Sequence, residues 1–169
     1  MVIEYLKTLD ANKSGNKLWK YGDPEGFSIS TIEKIEQKIN NGNHFPKAFR
    51  EFLFIAGESS GGIGIGPSYG VDIYAEDGET YIQQLNVYKK LLVKKGLNID
   101  RPFIVFKSGE SSSFDFIYLD EGDDPRPRFM YLDDNLMGDD PRICEYPEKT
   151  FSELIDRLVD YALRGLVPF

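Results

Sequence analysis

The segment FPKAFREFLFIAGESSGGIGIGPSYG, residues 45–70, is the strongest sequence signal for the fold that we predict. Pro46 suits the first turn of a helix, where its missing N–H would have no partner within the helix. Four apolar residues then share one helical face, which predicts a buried helix: Phe49, Phe52, Leu53 and Ala56. Gly57 can adopt the left-handed conformation that ends a helix, and the glycines that follow allow tight turns and close backbone approach. The segment therefore predicts a core helix that passes into a sheet through a glycine-rich crossing.

Apolar periodicity predicts four more helices. Residues 1–9 carry apolar side chains at helical spacing, which predicts a short helix. Residues 17–27 are expected to form an irregular arm, which Trp19 anchors to the rest of the fold. Ser30 and Glu33 form a capping-box pattern for a second helix, on whose polar side Glu36 is expected to face water. A long helix is predicted over residues 80–95, and Thr150 with Glu153 caps a final helix.

Residues 103–107, 114–119 and 129–133 alternate like strands, with connections too short for a crossover helix. Residues 71–75 and 142–146 add two further candidate strands. The predicted fold is therefore a single α+β domain over residues 1–169. A mainly antiparallel meander of about four to six strands packs against helices from the N-terminal half and a C-terminal helix.

The middle strand, in FDFIYLD, has no plainly polar face. Phe114, Phe116 and Tyr118 point one way, whereas Asp115, Ile117 and Leu119 point the other. We expect one face of the sheet to cover helices. The other, with its aromatic and acidic residues, is a candidate surface for a partner.

Composition indicates a chain with a core of its own. Its 169 residues fit one domain, and 41% of them are hydrophobic. No apolar run is long enough to span a bilayer, and residues 1–9 carry Glu4 and Lys7 in place of a signal-peptide core, so a soluble cytoplasmic protein is predicted. Cys144 is the one cysteine, which excludes an intrachain disulfide and fits a reducing compartment.

The sequence offers little from which a catalytic or cofactor-binding site could be built. The glycine-rich segment is not followed by Gly-Lys-Ser/Thr, and HExxH and paired CxxC do not occur. With His44 and Cys144 as the one histidine and the one cysteine, a zinc site or a Ser-His-Asp triad has almost nothing from which it could be built. His44 is expected to pack or cap. We therefore predict no catalytic residue, cofactor or metal, and we keep a carboxylate-dependent hydrolase as the remaining enzyme alternative.

Acidic charge is the strongest functional signal. The net charge of −8 argues against binding to nucleic acid and favours a basic protein as partner. Acids crowd the predicted sheet and its loops, where they would steer a cationic partner and nearby aromatic side chains would hold it. The candidate partner-binding residues are Asp115, Phe116, Tyr118, Asp120, Glu121, Asp123, Asp124, Tyr131, Asp133, Asp134, Asp139 and Asp140.

The order of these motifs resembles the SUKH superfamily, which includes the fungal regulator of cell-wall glucan synthesis and many bacterial toxin-immunity proteins. The resemblance covers residues 26–163 and lies in the Pro46 helix with its Gly stop, the Ser30 to Glu36 helix, the strands that contain Phe103, Phe114 and Phe129, and the Thr150 helix. Ala56-Gly57 stands where Asn-Gly is usual, and Ser111-Ser112-Ser113 replaces the usual Gly-Asp.

The resemblance implies a non-enzymatic binding module. In this interpretation the chain is an immunity protein that neutralises a cognate toxin, such as a basic nuclease, directly or by covering its substrate cleft. The alternative that the same family implies is an intracellular scaffold or regulator that binds endogenous proteins.

Overall fold

The computed structural model of the chain describes residues 1–15, 19–65, 79–94, 96–97, 99–108, 113–131 and 143–166. These ranges contain five helices and four strands: α1 (Lys7–Asn12), α2 (Ile29–Ile39), α3 (Lys47–Ala56), α4 (Glu79–Lys94), β1 (Phe103–Ser108), β2 (Ser113–Tyr118), β3 (Arg128–Tyr131), β4 (Ile143–Glu145) and α5 (Phe151–Leu163). The strands form one antiparallel sheet in the order β1-β2-β3-β4. The predicted α+β class and the meander are confirmed, whereas the candidate strand at residues 71–75 lies outside the described ranges.

Helix α3 lies at the centre of the core, as its apolar face predicts. Its four predicted core residues are fully buried. The Phe151 ring at the start of α5 packs edge-on against Phe49 at 5.7 Å and Phe52 at 6.0 Å, and against Phe106 of β1 at 5.3 Å. One aromatic cluster thus joins α3, α5 and the sheet, which fixes the two helices on the same face.

Strand β2 is buried on both of its faces. On one face the Tyr88 ring of α4 lies 4.6 Å from Phe114, and Phe103 of β1 lies 5.5 Å from Phe116. On the other face Ile117 is fully buried. The expectation that the aromatic face of this strand is open to a partner is therefore wrong, because α4 packs against it.

The N-terminal helix is shorter than predicted. Helix α1 begins at Lys7, and residues 1–6 precede it without helical structure. Leu6 and Leu9 are fully buried.

The Trp19 anchor is confirmed, since its side chain is buried and its Nε1–H donates to the Asn12 carbonyl at 2.8 Å.

Two predicted helix signals act differently in the structure. Ser28, in place of Ser30, caps α2 by accepting a hydrogen bond from the Thr31 N–H. Gly57 has a φ of −71°, so it ends α3 without the left-handed conformation. A Cβ atom on Gly57 would lie 2.5 Å from Cδ2 of Phe27, so close packing is what requires glycine here.

The ends of the later helices follow the sequence closely. Gly96 has a φ of +76° and donates its N–H to the Val93 carbonyl, which closes α4. The Thr150 hydroxyl accepts the Glu153 N–H at the start of α5, and the Glu153 carboxylate accepts the Lys149 N–H at 2.7 Å. None of the described helices is long and apolar enough to cross a membrane.

Candidate functional site

The predicted partner-binding residues fall into four groups. Asp115 is 7% exposed, Tyr118 is at the limit of burial and Phe116 is fully buried, so they cannot form a docking surface. Tyr131 lies in β3. Asp133, Asp134, Asp139 and Asp140 lie outside the described residues. The four remaining acids lie between β2 and β3 in residues 119–127, which we name the acidic loop: Asp120, Glu121, Asp123 and Asp124.

The acidic loop is fixed to the rest of the fold by its main chain. The Ala48 N–H donates to the Asp123 carbonyl at 2.9 Å, and the Phe151 N–H donates to the Pro125 carbonyl at 2.8 Å. These N–H groups belong to the first turns of α3 and α5, where a helix leaves its own donors without intrahelical acceptors. The Leu119 N–H donates to Pro102 at 2.9 Å at the other end of the loop. The loop therefore accepts hydrogen bonds from the first turns of α3 and α5, and these bonds give it a defined conformation.

Asp124 stabilises the start of α5. Its carboxylate accepts the Ser152 N–H at 2.9 Å and the Ser152 hydroxyl at 2.6 Å. A carboxylate near a helix N-terminus also interacts favourably with the helix dipole. Asp124 therefore has a structural role, and its oxygens are already used within the chain.

Asp120 and Glu121 are neutralised by two arginines. Arg101 binds Asp120 at 2.6 Å and Glu121 at 3.1 Å, and Arg128 binds Glu121 at 2.7 Å. The hydrogen bond from Arg101 lowers the pKa of Asp120. Partial burial alone would raise the pKa of Glu121, but the two guanidinium groups outweigh it and lower that pKa.

The same two arginines pack against an aromatic ring. The guanidinium carbons of Arg101 and Arg128 lie 4.0 Å and 4.7 Å from the centre of the Tyr118 ring. Cation–π contacts of this kind hold a guanidinium in place while its N–H groups bind carboxylates. Tyr118 thus holds the two arginines that bind the acidic loop, and its own side chain is almost completely buried.

Asp123 is the acid of the loop that remains for a partner. Its side chain is exposed, and it makes no ion pair with any residue that the structure describes. Tyr5 lies near it: burial raises the pKa of the Tyr5 hydroxyl, and the charge of Asp123 raises it further. Asp120 also keeps 45% of its side chain exposed beside Arg101. Among the described residues, the loop thus presents one carboxylate without an ion pair and one partly exposed ion pair.

A second polar cluster lies on the sheet face that packs against α5. Lys107, Asp115, Phe129 and Cys144 are paired across the four strands and form one row. The Tyr146 hydroxyl donates to Asp115 at 2.7 Å, and Lys107 Nζ lies 3.6 Å from the same carboxylate. Burial raises the pKa of Asp115, while Lys107 and Tyr146 oppose that rise. The contacts of Asp115 are those of a buried structural carboxylate.

Sequence reasoning missed two buried carboxylates. Glu51 on α3 is fully buried and accepts the N–H groups of Glu4, Tyr5 and Leu6 at 2.8 to 2.9 Å. Its position within a mostly apolar helix was the available signal. Glu36 was expected to face water, but it is buried and accepts the Phe45 N–H at 2.7 Å. No local pattern predicts this contact, since the acceptor and the donor lie on opposite sides of a turn.

Within the described ranges, no group of three His, Cys, Asp or Glu side chains is arranged to hold a metal ion. No family model, no curated protein and no solved structure matches this chain.

Proposed function

We propose that this chain is a non-enzymatic protein-binding module, an immunity protein that docks on a cognate basic toxin. The observation that carries this proposal is the acidic loop, which is fixed by main-chain hydrogen bonds and presents Asp123 without an ion pair to any residue that the structure describes. The order of motifs that resembles the SUKH superfamily supports the same function.

Rigidity of the loop favours binding. A surface that is already ordered loses little conformational entropy when a partner docks on it. The hydrogen bonds from Ala48, Phe151 and Ser152 hold the loop in one conformation before any partner arrives. A basic protein can therefore meet Asp123 and Asp120 in fixed positions.

Charge favours fast and selective encounter. The chain carries a net charge of −8, so its field attracts a cationic partner over roughly one Debye length, about 10 Å at moderate salt. Complementary charge mainly raises the association rate and suppresses wrong partners. Tight inhibition would then need additional contacts around the loop.

The test is binding to the product of the gene next to the one that encodes this chain, produced as an inactive variant if it is toxic. We expect a stable complex whose association rate falls as salt rises from about 50 mM to about 500 mM. D123A, and more strongly D120A/D123A, should lower the association rate by about threefold or more and flatten its salt dependence.

The matched control is E33A. Glu33 is an exposed acid on α2 that makes no ion pair within the described part of the chain, so its removal changes the net charge equally at another place. Equal effects of E33A and D123A would mean that net charge acts without the loop. An unchanged association rate in D120A/D123A would exclude the acidic loop as the docking surface, and absence of any complex would contradict the immunity function itself.

A further inference from the structure

Arginines in this structure are repeatedly held by a carboxylate and a tyrosine ring together. Arg101 binds Asp120 at 2.6 Å, and its guanidinium carbon lies 4.0 Å from the centre of the Tyr118 ring. Arg128 binds Glu121 at 2.7 Å and lies 4.7 Å from the centre of the same ring. The chain thus binds both guanidinium groups in the same way, through charge on one side and a ring on the other.

A third arginine repeats this arrangement at another place in the fold. Arg157 Nε lies 2.7 Å from the Glu148 carboxylate, and the guanidinium lies 6.0 Å from the Tyr146 ring centre and 5.7 Å from that of Tyr161. A guanidinium is planar and weakly hydrated, so it can stack on a ring while its N–H groups bind a carboxylate, whereas an ammonium is compact and strongly hydrated. A carboxylate beside a tyrosine ring therefore favours arginine over lysine.

The acidic loop and the N-terminal segment bring a fourth carboxylate and tyrosine together at the first turn of α3. The Ala48 N–H donates to the Asp123 carbonyl at 2.9 Å, and Lys47 Nζ binds the Glu4 carboxylate at 2.5 Å. Tyr5 follows Glu4 in the chain. Burial raises the pKa of the Tyr5 hydroxyl, and the nearby charge of Asp123 raises it further. Asp123 and Tyr5 are therefore neighbours, although they are distant in sequence.

Both side chains are available to a partner, while the main chain at each residue is fixed. Asp123 is exposed and Tyr5 is half-buried, with part of its ring packed on the core. Within the described part of the chain, Asp123 has no ion pair and the Tyr5 hydroxyl has no hydrogen bond. The Tyr5 N–H donates to the buried Glu51 carboxylate at 2.9 Å. Lys47, a cation near both groups, is already bound by Glu4.

We infer that Asp123 and Tyr5 form a docking site for an arginine side chain of the basic partner protein. The guanidinium would lie over the Tyr5 ring and donate to the Asp123 carboxylate, as Arg101 does with Tyr118 and Asp120. This inference rests on the proposed function and names the residue type that the acidic loop recognises. Arginine and tyrosine are both enriched among the residues that dominate binding energy at protein interfaces.

The first test needs no partner protein. The isotope-labelled full chain is titrated with N-acetyl-arginine amide and, separately, with N-acetyl-lysine amide, while amide chemical shifts are followed. We expect the arginine probe to shift the Tyr5 and Asp123 amides with an apparent affinity about threefold or more above that of the lysine probe. D123N removes the charge and Y5L removes the ring, so each should abolish this preference. Y5F keeps the ring and should lose less than Y5L.

E33Q is the matched control for loss of one negative charge. Glu33 is an exposed acid on α2 without an ion pair among the described residues, so E33Q should leave the arginine response at Tyr5 unchanged. Far-UV circular dichroism shows whether each variant keeps the helices of the parent chain. Equal responses to the two probes, or equal losses in E33Q and D123N, would overturn the inference.

The second test measures the complex with the inactive product of the neighbouring gene. Y5L should weaken this complex about tenfold, and so should replacement of one exposed arginine of that protein by lysine. A complex that tolerates Y5L and every such replacement would overturn the arginine site and leave the immunity function standing. A selective response to the arginine probe without any complex would support the site and contradict the immunity function.

Discussion

Gly26 shows how one residue can decide whether two segments meet. The main chain of residues 25–27 lies against the end of α3: the Phe27 N–H donates to the Leu53 carbonyl at 2.9 Å. A Cβ atom on Gly26 would lie 1.7 Å from the carbonyl oxygen of Phe54 and 2.3 Å from its carbonyl carbon. Because these are backbone atoms, they cannot move aside as the end of a side chain can. Glycine is therefore required by contact at this position.

We predict that G26A is far more destabilising than G15A. Gly15 has a φ of +72°, and a Cβ there would meet nothing within 4 Å, so alanine adds only backbone strain of about 1 kcal/mol. At Gly26 the arm must separate from α3, which should cost more than about 3 kcal/mol. Urea unfolding of both variants measures the difference, and equal losses would show that the arm does not lie this close to α3.

Asp115 should make stability depend on pH in an unusual direction. Burial raises its pKa above the ordinary value of 3.8, so the folded chain favours the neutral carboxyl. A group of this kind contributes stability that is fully present below its unfolded pKa. That contribution is lost as the pH rises through its folded-state pKa. Asp120 and Glu121, whose pKa values are lowered, contribute in the opposite sense.

D115N isolates this contribution because asparagine cannot ionise and still offers an oxygen to the Tyr146 hydroxyl. We expect the free energy of unfolding of the parent chain minus that of D115N to fall as the pH rises from about 3 to about 7. The effects of Asp120 and Glu121 cancel in this difference, since both variants contain them. Urea unfolding across the pH range is the measurement, and a difference independent of pH would contradict the raised pKa.

Among the elements, the N-terminal segment depends most on a distant residue. Residues 1–6 have no helix of their own, and three of their N–H groups donate to the buried carboxylate of Glu51. One charged group that accepts several backbone N–H groups is a strong anchor. The segment therefore packs on α3 through Glu51 and through the buried side chain of Leu6.

E51A should release this segment and destabilise the fold by about 3 kcal/mol or more, because it leaves buried N–H groups without acceptors. Urea unfolding and hydrogen exchange of the Tyr5 and Leu6 amides measure the two effects. E51Q, which keeps one acceptor oxygen, should lose less. E33A, which removes an exposed acid, should change stability by less than about 0.5 kcal/mol. Unchanged amide protection in E51A would exclude Glu51 as the anchor.

Local sequence signals predicted the helices and the meander, whereas contacts between separated residues were not predicted. Helices α2 to α5 and the meander follow from periodicity, caps and short connections, all of which act within a few residues. The burial of Glu51, the close contact at Gly57 and the helix-capping role of the acidic loop depend on residues far away in the chain, and the burial of Glu36 depends on a contact across a turn. The sequence therefore predicted where the charged loop lies in the chain. The hydrogen bonds that fix the loop and the arginines that bind its acids are seen only in the structure.

At the scale of the whole molecule, the sheet has helices on both faces. Helix α4 packs on the face of Phe114, and α5 packs on the other face through Phe106 and Phe151. Because β2 is buried on both faces, the helices on the two sides of the sheet both bury side chains of this strand. The N-terminal arm joins this core through Trp19, whose ring is buried and whose Nε1–H binds the Asn12 carbonyl. The described elements therefore share one continuous core.

A continuous core predicts that the arm and the helices unfold together. Trp19 is the one tryptophan of the chain, so its fluorescence reports on the arm, whereas far-UV circular dichroism reports on the helices. We expect the two signals to give the same urea midpoint in the parent chain. E51A should lower both midpoints together if the N-terminal segment belongs to the same cooperative unit as α3. A Trp19 transition that precedes the loss of helix in the parent chain would instead make the arm a separately unfolding unit, stabilised by its own contacts and only docked on α3.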